Sequence, residues 1–395
     1  MKTRERRALA GLFFLFGFGI MSWVPRFPEV KHNLGVSNGE FGTLISIGAI
    51  GSILSLVSVG HLVHRYGARK LLTASALVLY TALILVVHVR ETWQFLICNF
   101  FVGLGLAAFH TALNGQALHE QKPEVENIMP RLHGLWSLGA LATAIISGLL
   151  TSRVSLNTHI SILSVSIFLI DLYLLKVIAP TLLQGNSRHD DEVSFRDIFA
   201  KGSIDWLMAI SLTCAVMLEF AIADWAAIFS KEELHMSPGV ATIPYICFIT
   251  AMIVGRLTVH KIVKRIGLAD LIRRCVISGG VIFLVCNIVG VQVNKTSAGL
   301  GFAIIAFGAL CAGLGASFLA PTIMNAANLR SKAPGAVVIG QLGALNTIAV
   351  FFLKWVIAWT AQFTSISVAL VIPTLMLISL YFLANTFEQA GTKVS

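Results

Sequence analysis

Twelve apolar runs, most of them close to twenty residues long, constrain this chain more than any other feature. They lie at 8–28, 39–63, 71–89, 93–118, 132–152, 159–179, 204–230, 239–261, 272–292, 299–329, 336–360 and 366–386. A helix needs roughly 20 predominantly apolar residues to cross a hydrocarbon layer of about 30 Å. The runs therefore predict an all-α membrane protein with twelve transmembrane helices. Composition agrees: 56% of the 395 residues are hydrophobic and only 12% charged, and the mean hydropathy is +0.82, well beyond a soluble domain.

The runs fall into two sets, because the chain repeats itself. Gly103-Leu104-Gly105, Thr111-Ala112-Leu113-Asn114 and Leu118 return as Gly313-Leu314-Gly315, Thr322-Ile323-Met324-Asn325 and Leu329, offset by 210 and then 211 residues. Val59, Val63, Arg65, Gly67 and Leu71 return at an offset of 200, and Leu138-Gly139-Ala140-Leu141 with Thr143 at an offset of 204. Collinear matches of this kind mark homologous units. They predict an N-terminal six-helix bundle at 1–179, a linker at 180–203 and a C-terminal six-helix bundle at 204–395. The linker is the longest polar stretch, and its 190–199 segment would form a short surface helix. The remaining loops are short and leave no room for a soluble domain.

Lys and Arg set the orientation, since cytoplasmic loops retain them. With the N-terminus inside, cytoplasmic segments hold 20 of the 29 basic residues and outer segments 6, while Lys176, Arg256 and Lys354 lie within spans. Both termini are thus expected in the cytoplasm. The net charge of +10 is spread loop by loop, which argues against nucleic acid as a partner. The basic start at Lys2 to Arg7 resembles a signal peptide but lacks a small-residue cleavage site, so it reads as the beginning of the first span. All six cysteines sit in or beside apolar runs without metal-ligand spacing and read as buried thiols. No nucleotide-binding loop or metal cluster is present, and no cofactor is expected.

The loop after the second span reads Gly60-His61-Leu62-Val63-His64-Arg65-Tyr66-Gly67-Ala68-Arg69-Lys70. In Gly60, Arg65, Gly67, Arg69 and Lys70 it resembles the Gly-x-x-x-Asp-Arg-x-Gly-x-Arg-Lys signature of the major facilitator superfamily, with an echo at 260–267. The departure is His64, which stands where the family carries an aspartate. The resemblance implies two parallel six-helix repeats, a solute site near the bilayer midplane between the halves, and rocking of one half against the other. There the aspartate holds the outward-open state; His64 would weaken that latch or make it pH-sensitive. Trp23 to Lys31, with Leu34-Gly35-Val36-Ser37, and Glu219 to Trp225 are similar to bacterial carriers of the fucose-permease-like branch. Neither the first nor the fourth span carries that branch's acidic residue, and Trp136-Ser137-Leu138-Gly139 stands where drug antiporters carry a Gly-Pro signature.

An ionisable side chain inside a span is a functional hypothesis by default. Glu219, midway along the seventh span, is the first candidate for proton coupling and Asp224 the second. The bland alternative pairs Glu219 permanently with Arg256. Arg26 and Asp224 stand at similar depth, so a pairing between them, with Trp23 and Trp225 alongside, would close an outer gate; otherwise Arg26 reaches to the interface. Asn99, Gly103, His110 and Asn114 recur at helical spacing along one stripe of the fourth span. Asn325 and Asn328 follow Pro321 in the tenth. Trp136 with His133 and Ser137 in the fifth span, and Gln341 with Asn346 in the eleventh, complete the solute-binding candidates. Arg256 would anchor a cytoplasmic loop and Lys354 an outer interface.

These features predict a monomeric secondary transporter in a cell inner membrane, moving a small polar organic solute by alternating access with proton coupling. Its partners would be the solute, protons and the bilayer. The competing classes are a polytopic membrane enzyme, for which no catalytic constellation is visible, and a carrier-fold sensor or lipid scramblase.

Overall fold

In the computed structural model, which describes residues 3–120, 128–184, 204–331 and 335–387, the described residues form helices and no strand. Twelve helical segments among them are long and apolar enough to cross a membrane. They are α1 (Arg4–Leu34), α2 (Asn38–Tyr66), α3 (Ala68–His88), α4 (Thr92–His119), α5 (Arg131–Leu150), α6 (Leu156–Thr181), α7 (Trp206–Glu232), α8 (Val240–Thr258), α9 (Leu268–Asn294), α10 (Ala298–Arg330), α11 (Val337–Phe363) and α12 (Ile366–Phe387). Number and order match the apolar runs. The largest difference is at α1, which continues past residue 28 to Leu34. There a short 3-10 turn, Val24–Arg26, leads into Phe27–Leu34. Pro28 falls in the first turn of that helix, where its missing N–H leaves no carbonyl short of a partner. The expected linker helix lies outside the described residues.

The chain divides into two compact units, Met1–Val36 with Thr43–Glu192 and Ser37–Gly42 with Val193–Ser395. In the first, α1 packs on α5 and α6, α2 on α4, and α3 on α4 and α6. In the second, α7 packs on α11 and α12, α8 on α10, and α9 on α10 and α12. These are the same pairings with six added to each helix number, so the internal sequence repeat is a repeat of structure. Ser37–Gly42 belongs to the second unit, where the Gly39 N–H donates to Gln362 Oε1 at 3.3 Å and Gly42 lies against Ala358 and Trp225.

Glycine explains the two most intimate of these pairings. A Cβ on Gly103 of α4 would overlap the Gly48 carbonyl of α2, and one on its repeat partner Gly313 of α10 would overlap the Phe248 carbonyl of α8. Small residues at such crossings bring backbones into direct contact, which is where helices gain packing energy in lipid. The repeat also preserves a corner. Gly67, between α2 and α3, has φ 82°, and Gly267, ahead of α9, has φ 80°, a region that side chains disfavour.

Other spans are irregular as well. In α2 a turn interrupts the helix at Ile47. In α9 a π-helical stretch covers Ile277–Ile282. In α10 the helix stops at Ala316 and resumes at Leu319. The last has a readable cause, because Pro321 has no N–H to give to the carbonyl four residues back, that of Ser317.

The packing makes a test within one mutant series. Gly103→Ala forces α2 and α4 apart and should lower stability by about 1–3 kcal/mol, whereas Gly60→Ala meets nothing within 4 Å and should be neutral or slightly stabilising. Heating detergent-solubilised protein and measuring the monodisperse fraction would separate the two; equal melting would remove close packing as the reason for Gly103.

Candidate functional site

The orphaned Ser317 carbonyl organises the charged centre of the second unit. Arg256 of α8 donates to it from Nε at 3.0 Å, and this leaves the other face of the guanidinium directed at α7, where Nη2 stands 3.7 Å from Glu219 Oε2. The two side chains are 36% and 30% exposed, Glu219 midway along α7 and Arg256 near the end of α8. A second pair stands five residues further along α7, where Asp224 Oδ2 is 2.7 Å from Lys354 Nζ of α11. That pair is more enclosed, and the Lys354 ammonium also lies 5.2 Å from the centre of the Phe220 ring. Tyr245, buried in α8, is within electrostatic reach of both carboxylates.

In the first unit the comparable charge is locked away. Arg26 is 0% exposed and commits its donors locally. Nε and Nη2 clasp Glu29 at 2.8 and 2.7 Å, Nη2 also reaches the Val154 carbonyl at 2.9 Å, and Nη1 meets His159 Nδ1 of α6 at 3.3 Å. A bidentate, fully enclosed arginine of this kind is a rivet between α1, the α5–α6 connection and α6. More open is a ring cluster on α1, α4 and α5. His110 and His133 stand edge to face at 6.2 Å, Phe16 stacks on His110 at 5.8 Å and Phe13 meets His133 at 5.7 Å. Both imidazoles belong to exposed residues, and Asn114, one turn further along α4, is half-buried.

Several expectations need correcting. Arg26 and Asp224 each have a counter-charge inside their own unit, Glu29 and Lys354. Lys354 is therefore an ion-pair member and not an interfacial anchor, and Arg256 serves Glu219 and Ser317 instead of a loop. The polar stripe on α4 splits. Asn99 is buried, and its Nδ2 donates to the carbonyls of Leu44 and Ile45 at 3.0 Å each, beside the break in α2. It is the amide that joins two helices, with no donor left for a solute. Trp23 is buried against Phe27 and Phe95, Trp225 is buried, and so is Gln341. None of these faces a solute in this conformation, because interior packing already uses their surfaces. His110, Asn325 and Asn328 remain exposed, and Asn114, Trp136 and Asn346 are half-buried, Asn346 accepting from Thr213 Oγ1 at 3.2 Å.

The loop motif performs a structural task. Gly67 turns the corner, and the Ala68 N–H donates to the Leu183 carbonyl at 2.9 Å. Gln116 of α4 binds the same exit from α6, accepting from the Leu183 N–H at 2.9 Å and donating to the Thr181 carbonyl at 2.8 Å. Arg65 lies over the Tyr66 ring at 5.2 Å, Arg69 and Lys70 are exposed, His64 is half-buried, and nothing approaches Gly60. One acidic residue inside a span escaped the sequence reading: Asp171, buried in α6. Its signal was plain, an acidic residue inside an apolar run.

Charge exchange tests the pairings. Asp224→Lys or Lys354→Asp alone should cut folded yield, and the two together should recover it; Arg26→Asp combined with Asp224→Arg should recover nothing. Arg26→Ala alone strands Glu29 and should cost about 3–5 kcal/mol, read as melting temperature in detergent. Rescue by the Arg26–Asp224 exchange would restore the gate pairing that the geometry removes.

Known proteins fit this architecture. An uncharacterized MFS-type transporter of Yersinia pestis is 29% identical over 370 residues, covering 93% of this chain and 91% of its own. The nucleoside transporter NupG superposes with a TM-score of 0.75 at 12% identity, over 98% of this chain and 99% of its own. A D-xylose-proton symporter superposes with a TM-score of 0.70 at 15% identity, over 96% of each chain. The family model of the Major Facilitator Superfamily matches residues 9–352. A multi-pass, all-helical membrane protein with this repeat and that match belongs to the Major Facilitator Superfamily.

Proposed function

We propose that the protein is a secondary active transporter of the cytoplasmic membrane, moving a small polar organic solute by alternating access with proton coupling. The observation that carries the reading is the Glu219–Arg256 pair. Its 3.7 Å separation is too long for a hydrogen bond, so a proton arriving on Glu219 removes a counter-charge without breaking a directional contact. Arg256 keeps its hold on the Ser317 carbonyl in either state. A charge pair that is partly exposed yet inside a span is unfavourable against lipid and suits an aqueous path.

The exposed polar groups indicate the solute class. His110, Asn325 and Asn328 offer donors and acceptors that match hydroxyl and amide groups, and the exposed His110 and His133 rings offer flat faces to a sugar or planar ring. Ionised residues near these groups are already paired, which favours a neutral solute. Nucleoside and D-xylose, the solutes in the names of the two fold neighbours, belong to that class and are suitable first probes.

Proteoliposomes with an imposed inward proton gradient, loaded in turn with labelled uridine, D-xylose and a wider panel of neutral metabolites, test the proposal. The wild type should accumulate at least one solute, and a protonophore should abolish the accumulation. Glu219→Gln should lose gradient-driven accumulation while keeping solute exchange. Accumulation unchanged in Glu219→Gln would remove that residue from coupling, and accumulation indifferent to the gradient would end the proton-coupled reading.

A further inference from the structure

Asp171 has no place in the account so far, yet it is the most enclosed carboxyl among the described residues. It is 0% exposed, and neither of its oxygens has a hydrogen-bond partner. Beside it is the Tyr80 hydroxyl of α3, also buried and also without a hydrogen bond of normal geometry, but within interaction range of the carboxyl. Helix α1 makes room for this neighbour. A Cβ on Gly19 would come within 2.9 Å of Tyr80 Cε1, 3.3 Å of its hydroxyl oxygen and 3.2 Å of Ile167 Cδ1 on α6.

Among the described residues, no cation stands beside Asp171. Among the described residues of α1, the charged groups are Arg4, Glu5, Arg6 and Arg7 near its start and Arg26, Glu29, Lys31 and His32 beyond its break. Those of α3 are Arg69 and Lys70 at its start and His88 at its far end, besides Tyr80 itself. On α6, His159 is engaged with Arg26, and Tyr173 and Lys176 are exposed. Glu219 and Asp224 each face a positive side chain; Asp171 faces a phenol. An ionised carboxylate with one weak donor and no counter-ion is costly in such surroundings. The neutral acid is not, because its O–H can be donated to the Tyr80 oxygen. When the carboxyl is ionised, the phenol can turn and donate instead, keeping its own proton throughout.

We propose that Asp171 is a second proton-binding site of this carrier, alternating between carboxylic acid and carboxylate by exchange with water, with the Tyr80 hydroxyl switching between acceptor and donor. The proposal deepens the proton-coupled reading and rests on it. The backbone of α1 is irregular close to the pair. Its regular helix ends at Ile20, and the Gly19 carbonyl is held only by the next turn, through the Ser22 hydroxyl at 2.7 Å and N–H at 3.2 Å. The volume a side chain would fill at position 19 is occupied by the Tyr80 ring.

Infrared spectroscopy of the purified full-length protein in lipid tests this without a solute. On passing from mildly alkaline to mildly acidic pH, the wild type should gain a carboxylic-acid C=O band. In the Glu219→Gln background, which removes the other carboxyl proposed to take up a proton, that band should remain, Asp171→Asn should abolish it and Tyr80→Phe should shift it. In that background a band of constant size across the range would make Asp171 a fixed acid and overturn the proposal, as would a titrating band that survives Asp171→Asn. If Asp171→Asn fails to fold, Tyr80→Phe decides: a shifted titrating band supports the site, and an unshifted one overturns it. A failure here stays distinct from a failure of proton coupling itself, which appears as gradient-independent uptake by the wild type.

Discussion

A polar group inside a membrane span must find its partner within the protein, and that constraint shapes every site described above. Pro321 breaks one backbone hydrogen bond in α10 and leaves the Ser317 carbonyl to be satisfied. Arg256 satisfies it at 3.0 Å. With one edge of the guanidinium fixed there, the other stands at 3.7 Å from Glu219, a separation at which attraction persists but no directional bond is made. The same logic places Asn99 beside the break in α2, and it makes Arg26 a closed rivet, whose partners leave it nothing to exchange. In α10 and α2 alike, a break in the helical ladder is met by a polar side chain from a neighbouring helix.

Close packing through glycine supplies the second requirement. Where Gly103 lies on the Gly48 carbonyl and Gly313 on the Phe248 carbonyl, backbones touch without interlocking side chains. Such contacts hold helices at a fixed distance and offer little resistance to sliding along the crossing. The repeat has kept such contacts at equivalent places in both units.

The fold was legible in the sequence because its signals are long and periodic. Twelve apolar runs can hardly be misread, and Gly67 and Gly267 keep the same backbone angle across 200 residues of separation. The candidate site was legible only in part. That Glu219 was special followed from its depth, and Arg256 was visible as a partner. The pairing of Asp224 with Lys354 spans 130 residues of chain and rests on how α7 and α11 pack, for which no local spacing gives a clue. The opposite error occurred at Arg26, where the partner was Glu29, three residues away, and the local pair was passed over for a distant one. Asn99 looked like part of a polar stripe because helical spacing records which residues share a face but not what that face meets.

The claim on which the rest depends is that the carbonyl freed by Pro321 positions Arg256 for Glu219. A double-mutant cycle on thermal stability, combining Pro321→Ala with Arg256→Gln in lipid or detergent, tests it directly. Alanine returns the missing N–H, so the loss caused by Arg256→Gln should shrink when Pro321→Ala is present, with a coupling of about 0.5–3 kcal/mol. Additive effects would mean that Arg256 and the freed carbonyl are independent, and the account of the charged centre would be contradicted.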